Sequence, residues 1–189
     1  LEIGKIGLFL ERKFNPMTGY QDPYGCALGG LKHMIFPKGE SPIVENLNDD
    51  LLKDFQMFLV HTGVKRVSTN VLKSIDTQKS VPLLDIVRQM KESINKKDSE
   101  QFFKLIRAGW EIKKQTSQEI ISNKSLLDLD SKISRNDSIV AHRLLGAGGG
   151  GYFLCFAHKD IPLSRIKNSM NHSIIPIEVA SNGISGERI

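Results

Sequence analysis

Cysteine, aromatic side chains and long apolar runs are all scarce in this chain of 189 residues. Its two cysteines, Cys26 and Cys155, have small or apolar neighbours and no Cys-x-x-Cys spacing, so we interpret them as reduced core residues. The five histidines are scattered and form no ligand cluster, so the sequence predicts no metal site. No apolar run is long enough to span a bilayer and no signal peptide opens the chain, which favours a cytoplasmic protein with no membrane partner.

Charge and composition limit the classes of partner. Lys and Arg total 26 against 21 Asp and Glu, but the two signs are interspersed and aromatic residues make up only 7% of the chain. Because no basic patch alternates with stacking aromatics, we predict no nucleic-acid partner. A mildly basic surface is compatible with anionic small-molecule substrates, and 40% apolar residues can build a core.

The run 144–156, which carries four consecutive glycines between apolar flanks, is hard to explain by ordinary packing. Glycine lacks a Cβ, so this loop can turn N–H groups toward a phosphate or let another chain segment approach. Gly146, Gly148 and Gly151 match a dinucleotide fingerprint, but that turn follows a strand and opens a helix. Here a helix-like stretch, 126–142, precedes the loop and a strand-like run follows it, so we reject a dinucleotide site. A glycine-rich turn before a core strand remains the alternative.

Hydrophobic periodicity predicts a two-layer α+β fold. Residues 1–12 are predicted to end an amphipathic helix, and 14–31 to form a loop rich in Gly, Pro, Asn and Asp. Asp98 or Ser99 is the predicted N-cap of the third of the later helices, in which Trp110 is a predicted core residue. The predicted strands are 32–36, 54–61, 152–157 and 174–179, and the predicted helices are 67–76, 82–95, 99–122, 126–142 and 162–170.

Three loops, 19–30, 62–66 and the glycine loop, resemble in order and spacing the motifs of the GHMP small-molecule kinases. The run from Leu144 to Phe153 is similar to the third motif of that family. The other similar segments belong to its heptose 7-phosphate kinase branch: Gln21-Asp22-Pro23-Tyr24 with Gly29-Gly30, His61-Thr62-Gly63-Val64-Lys65-Arg66, and Trp110 with Lys113-Lys114.

The resemblance implies a role for each matching residue. Asp22 would be catalytic, accepting the proton of a sugar hydroxyl as it attacks the γ-phosphate of ATP. From the residues alone, Asp22 before Pro23 could instead form a turn, and Lys65 with Arg66 could be a solvated helix start. The implied substrate-binding residues are Gln21, Tyr24, Gly29, Gly30, Thr62, Gly63, Lys65 and Arg66. The implied phosphate-transfer loop consists of Gly146, Ala147, Gly148, Gly149, Gly150 and Gly151.

The resemblance also implies a domain organisation. Residues 49–189 would be a ferredoxin-like GHMP C-terminal domain, and residues 1–48 the end of a ribosomal-protein-S5-like nucleotide-binding domain. The family's Pro-x-x-Ser-Gly-Leu-Gly-Ser-Ser motif, which binds ATP, does not occur in this sequence. ATP and Mg²⁺ are therefore implied cofactors whose main binding motif lies outside this chain, and the chain alone is expected to be inactive. Residues 138–143 also replace the usual Gly-Ala-x-Gly-Gly-Lys.

The implied activity is transfer of the ATP γ-phosphate to a hydroxyl of a sugar or sugar phosphate. The acceptor expected from the branch is the anomeric hydroxyl of D-glycero-D-manno-heptose 7-phosphate. A kinase for another sugar, such as fucose or galactose, and a non-catalytic remnant or binding module stay open as alternatives. The sequence predicts no oligomeric state.

Overall fold

The computed structural model describes residues 1–65 and 68–184, which form two compact units. Residues 1–49 and 179–184 build the first unit, and residues 50–178 the second. The helices are α1 Glu2–Phe14, α2 Gln21–Ala27, α3 Ser68–Ser74, α4 Pro82–Asn95, α5 Ser99–Thr116, α6 Lys124–Ser134 and α7 Leu163–Met170. The strands are β1 Leu31–Ile35, β2 Ile43–Leu47, β3 Phe55–His61, β4 Ala141–Leu144, β5 Tyr152–His158 and β6 Ile174–Ile177. Within the described ranges, none of the helices has both the length and the apolar character needed to cross a bilayer.

The first unit is built around the buried ring of Tyr24, which is 2% exposed. Helix α1 approaches this ring closely, because a Cβ on Gly4 would lie only 2.7 Å from it. The edge of the Tyr24 ring also meets Phe36, with the ring centroids 5.6 Å apart. Strands β1 and β2 follow these two helices in the sequence and pair antiparallel as a hairpin. The sequence had not predicted β2.

Helix α2 corrects the prediction that 14–31 is entirely loop. Pro23 lies in the first turn of this helix, where a backbone N–H has no intrahelical acceptor, so the missing N–H of proline costs no bond. Asp22 lies in the same turn, where a carboxylate interacts favourably with the helix dipole. Asp22 therefore lies in the first turn of a helix and does not form an isolated turn. Cys26, predicted to be in the core, is exposed on this helix, whereas Cys155 is buried as predicted.

The second unit contains a four-stranded antiparallel sheet in the order β4-β5-β3-β6. Helices separate β3 from β4 and β5 from β6, which is the element order of a ferredoxin-like split β-α-β arrangement. The predicted α+β class is therefore confirmed. One face of the sheet packs against apolar side chains of α3, α6 and α7, and the core so formed includes Phe58, Val60, Val71, Leu126, Leu129, Ile133, Phe153, Cys155, Ile166 and Met170.

The segment before the glycine loop differs from the prediction. The predicted helix 126–142 ends at Ser134 as α6, and the last residues of that range start strand β4. Pairing with β5, in which Arg143 lies opposite Leu154, supplies the backbone partners that stabilise the extended conformation. The glycine loop thus joins two antiparallel strands, so the predicted order of helix, loop and strand is wrong. The predicted helix 99–122 likewise ends early, at Thr116.

Candidate active site

The predicted catalytic residue Asp22 is exposed in the first turn of α2, next to exposed Gln21. Both side chains project from a helix whose position is set by the packing of Tyr24 on Gly4. Tyr24 itself is buried in that packing, and its predicted contact with substrate stays a prediction. A solvent-accessible carboxylate can accept a proton from a hydroxyl.

A close approach of two chain segments explains the glycine pair Gly29-Gly30. A Cβ on Gly29 would collide with the backbone of Asn182, and Gly30 has a φ of +77°. The Gly30 N–H donates to the carbonyl of Ala180 at 2.6 Å. The pair therefore lets the returning segment pass next to β1, and its substrate-binding role stays a prediction.

In the second unit the structure brings two predicted loops together. The backbone N–H and the Oγ1 hydroxyl of Thr62 both donate to the Gly151 carbonyl at 2.9 Å. The Gly151 N–H donates in return to the Val64 carbonyl at 3.3 Å, and the Val64 N–H donates to Thr62 Oγ1 at 3.2 Å. The loop after β3 and the glycine loop before β5 are thus joined into one surface at the end of the sheet.

The glycine loop requires glycine because two other segments of the chain lie against its backbone. Gly148 has a φ of +117°, and a Cβ there would lie 3.0 Å from the Cα of Ile120. Gly150 has a φ of +147°, and a Cβ there would lie 2.5 Å from the Val64 carbonyl oxygen. Gly149 donates its N–H to the Ile120 carbonyl at 2.9 Å. The loop is therefore wedged between Val64 and Ile120, and its backbone conformation is fixed from both sides.

We expect Gly150→Ala to destabilise the chain by about 2–3 kcal/mol, because strain at positive φ adds to the clash with Val64. Gly63→Ala is the matched control, since Gly63 has a φ of +72° but no atom within 4 Å of an added Cβ. Gly63→Ala should lower the free energy of unfolding by only about 1–2 kcal/mol, which is the cost of the positive φ alone. Urea denaturation of the two variants measures both values. Equal losses would contradict a role for the Val64 contact.

Lys113, on α5, binds backbone carbonyls at the start of the glycine loop. Its ammonium donates to the Gly146 carbonyl at 2.5 Å and lies 3.5 Å from the Leu144 carbonyl. A cation that neutralises carbonyl dipoles here also raises the positive potential near the loop. The sequence indicated Lys113 only as part of a motif.

A buried polar cluster lies behind this lysine. Asp130 Oδ1 accepts hydrogen bonds from Trp110 Nε1 and from the His142 ring, each at 2.8 Å, and Oδ2 lies 3.1 Å from Lys114 Nζ. Burial alone would raise the pKa of Asp130, but the hydrogen bonds from His142, Trp110 and Lys114 outweigh it and lower that pKa. The cluster ties α5, α6 and β4 together next to the glycine loop. Sequence reasoning missed Asp130 and His142, because each lies among other polar or charged residues and no pattern distinguished it from them.

The remaining predicted residues lie at the surface or outside the described part. Gly63 and Lys65 are exposed in the loop after β3, and Arg66 lies outside the described residues. Ala147 is half-buried within the glycine loop. No group of three or more His, Cys, Asp or Glu side chains that could hold a metal occurs in residues 1–65 and 68–184, and Mg²⁺ stays a prediction.

One curated protein and several solved structures are similar to this chain. No known protein-family profile matches the chain. It is 28% identical over 191 residues to the L-fucokinase/L-fucose-1-P guanylyltransferase of Bacteroides fragilis, covering 91% of this chain and 20% of that protein. The chain therefore spans about a fifth of the length of this curated relative.

Solved structures share the fold at low identity. A Campylobacter jejuni protein described as a sugar kinase superposes with a TM-score of 0.68 at 20% identity, covering 100% of this chain and 57% of that one. A D-glycero-D-manno-heptose 1-phosphate kinase from Bacteroides thetaiotaomicron superposes with a TM-score of 0.67 at 20% identity, covering 98% of this chain and 54% of that one. The resemblance inferred from the sequence is confirmed: this chain has the fold of the GHMP small-molecule kinases.

Proposed function

We propose that this chain is part of an ATP-dependent sugar kinase that transfers the γ-phosphate to a hydroxyl of a sugar or sugar phosphate. The observation that carries the proposal is the joining of the loop after β3 to the glycine loop through Thr62, Val64 and Gly151. These two loops match kinase motifs that lie far apart in the sequence, and they meet at one end of one sheet. The similarity to sugar kinases supports the same reaction.

The charged predicted residues and the glycine loop each have a chemical task in this reaction. Asp22 accepts the proton of the attacking hydroxyl, and Lys65 with Arg66 binds the anionic part of the substrate. The glycine loop closes the phosphate-transfer region. ATP would supply the phosphoryl group, and Mg²⁺ bound to ATP would neutralise part of the phosphate charge. Residues 1–48 are the end of an S5-like nucleotide-binding domain and 49–189 a GHMP C-terminal domain.

The proposed acceptor is the anomeric hydroxyl of D-glycero-D-manno-heptose 7-phosphate. Similarity to a kinase named for this heptose, together with the cationic Lys65 in the loop after β3, supports a phosphorylated sugar. L-Fucose is the second candidate, because the curated relative is an L-fucokinase.

A substrate panel tests both acceptors. The complete gene product that contains this chain is assayed for ADP release from MgATP with heptose 7-phosphate, unphosphorylated heptose, L-fucose and D-galactose. We expect the highest kcat/KM for heptose 7-phosphate and a drop of at least tenfold without its 7-phosphate. The highest value with L-fucose would select the second candidate. No sugar-dependent ADP release would contradict the proposal and favour a non-catalytic protein.

A further inference from the structure

The two ends of the glycine loop are held by different kinds of contact. Near its end, the Gly149 N–H donates to the Ile120 carbonyl at 2.9 Å, and Gly151 is joined to the loop after β3. At its start, the Gly146 carbonyl accepts a hydrogen bond from Lys113 Nζ at 2.5 Å. A charged side chain thus contributes at the start of the loop what backbone contacts contribute near its end.

Lys113 lies in the last turn of α5, and neighbouring side chains fix the position of that turn. The Lys114 ammonium lies 3.1 Å from Asp130 Oδ2, and Trp110 Nε1 donates to Oδ1 of the same carboxylate at 2.8 Å. Thr116 Oγ1 donates to the Lys113 carbonyl at 2.8 Å. Lys113 itself is half-buried. Its ammonium therefore extends from a fixed backbone, so the carbonyl that it binds is held in one direction.

The hydrogen bond from Lys113 sets the direction of one peptide group in the glycine loop. The peptide between Gly146 and Ala147 is trans, so its carbonyl oxygen and its N–H point in opposite directions. Because the carbonyl faces Lys113, the Ala147 N–H faces away from α5. Gly146 has a φ of +65°, and a glycine can change its backbone angles at low cost, so this peptide could otherwise turn over. A reversed peptide would present a carbonyl oxygen, which repels a phosphate, where an N–H now stands.

We propose that Lys113 is a positioning residue of the phosphate-transfer reaction. Its ammonium holds the Gly146 carbonyl toward α5, so that the glycine loop turns an N–H, and not a carbonyl oxygen, toward the phosphate that is transferred. The Leu144 carbonyl, 3.5 Å from the same ammonium, is a second acceptor that keeps the cation in place. A charged donor suits this task, because its hydrogen bonds are about twice as strong as neutral ones. This inference rests on the proposed function and deepens it, since Lys113 acts on the reaction only through the backbone of the loop.

The position of the loop is tested by hydrogen–deuterium exchange in the complete gene product that contains this chain. Lys113→Met removes the donor and keeps an unbranched stem, and Lys113→Arg keeps a cation. Lys104→Met is the matched control, because it removes the same charge from an exposed position of the same helix. We expect a peptide spanning residues 145–151 to exchange about tenfold faster in Lys113→Met, and at close to the wild-type rate in the other two variants. Exchange in α6 should not change.

The effect on the reaction is tested by ADP release from MgATP with the sugar that the substrate panel selects. We expect Lys113→Met to lower kcat by about 10–10²-fold with KM for the sugar little changed, because a displaced loop costs stabilisation of the transition state and not sugar binding. Lys113→Arg should recover most of the lost kcat, and Lys104→Met should match the wild type. The Tm of Lys113→Met should stay close to that of Lys104→Met, since the contact is local.

Unchanged exchange of the glycine loop in Lys113→Met overturns the inference, whether or not the protein is a kinase. Faster exchange that extends equally to α6, or loss of folding in this variant, also overturns it, because Lys113 would then stabilise the whole unit and not the loop. A mobile loop with an unchanged kcat overturns it as well, since the position of the loop would not matter for the reaction. A wild type without sugar-dependent ADP release contradicts the proposed function instead, and the exchange rates still decide whether Lys113 holds the loop.

Discussion

Asp22→Asn is expected to lower kcat by about 10²–10⁴-fold in the complete gene product that contains this chain, with KM for the sugar little changed. The amide keeps the shape of the side chain but cannot accept the hydroxyl proton. The loss should not reach the full rate enhancement, since phosphoryl transfer depends mainly on positioning and on charge stabilisation by metal and cations. Steady-state ADP release at saturating MgATP measures the change.

Asp85→Asn is the matched control for this experiment. Asp85 is also an exposed carboxylate in the first turn of a helix, here α4, and its ion pair with Arg88 is fully at the surface. Both substitutions remove a favourable helix-dipole interaction of about 0.3–1 kcal/mol, so both should lower stability slightly and equally. Only Asp22→Asn should affect turnover. Normal turnover with Asp22→Asn would remove the catalytic assignment while leaving the kinase proposal intact.

Local sequence signals predicted both ends of α4 and the start of α5. Helix α4 begins at Pro82 and ends at Asn95 as predicted, and proline is favoured at such a start. The Asp98 carboxylate accepts the N–H of Gln101, so Asp98 is the N-cap of α5 and, of the two predicted candidates, Ser99 is not. Trp110 is 2% exposed, as its position on the helix suggested. These features depend on residues within a few turns of each other, so the sequence displays them directly.

Elements that depend on distant partners were not predicted. Helix α2 contains Pro23 and Gly25, and it is held by the packing of Tyr24 against Gly4 and Phe36. Strand β4 has only four residues, follows a turn at Asn136 and is defined by its pairing with β5. Local propensity is a weak guide where tertiary contacts decide the conformation.

The candidate site was predicted in part for the same reason. The glycine run indicated that something approaches the backbone, and the structure identifies the approaching groups as Val64 and Ile120, from distant parts of the sequence. The resemblance to the GHMP kinases identified Asp22 and the loop after β3 as parts of the candidate site. No motif indicated that Asp130 and His142 meet, because their contact joins a helix to a strand across the core.

Asp130→Ala is expected to destabilise the chain by about 3–5 kcal/mol, which corresponds to a fall in Tm of about 6–20 °C. The carboxylate is 8% exposed and accepts hydrogen bonds from Trp110, His142 and Lys114. Its removal leaves buried donors without an acceptor and opens a cavity in the core. Asp128→Ala, at an exposed position of the same helix, should change stability by no more than about 0.5 kcal/mol. A loss of that small size in Asp130→Ala would contradict a stabilising role for the cluster.

The pH dependence of stability separates the charge of Asp130 from its packing. The pKa of Asp130 is lowered in the folded chain from its ordinary value of 3.8, so the folded state holds the ionised form more strongly than the unfolded state does. The resulting stabilisation is complete above about pH 4 and is lost as the pH falls through the lower folded pKa. In urea titrations between pH 7 and pH 2, the wild type should therefore lose stability more steeply below pH 4 than Asp130→Asn does. Equal slopes for the two proteins would mean that packing, and not the charge of the carboxylate, ties α5, α6 and β4 together behind the glycine loop.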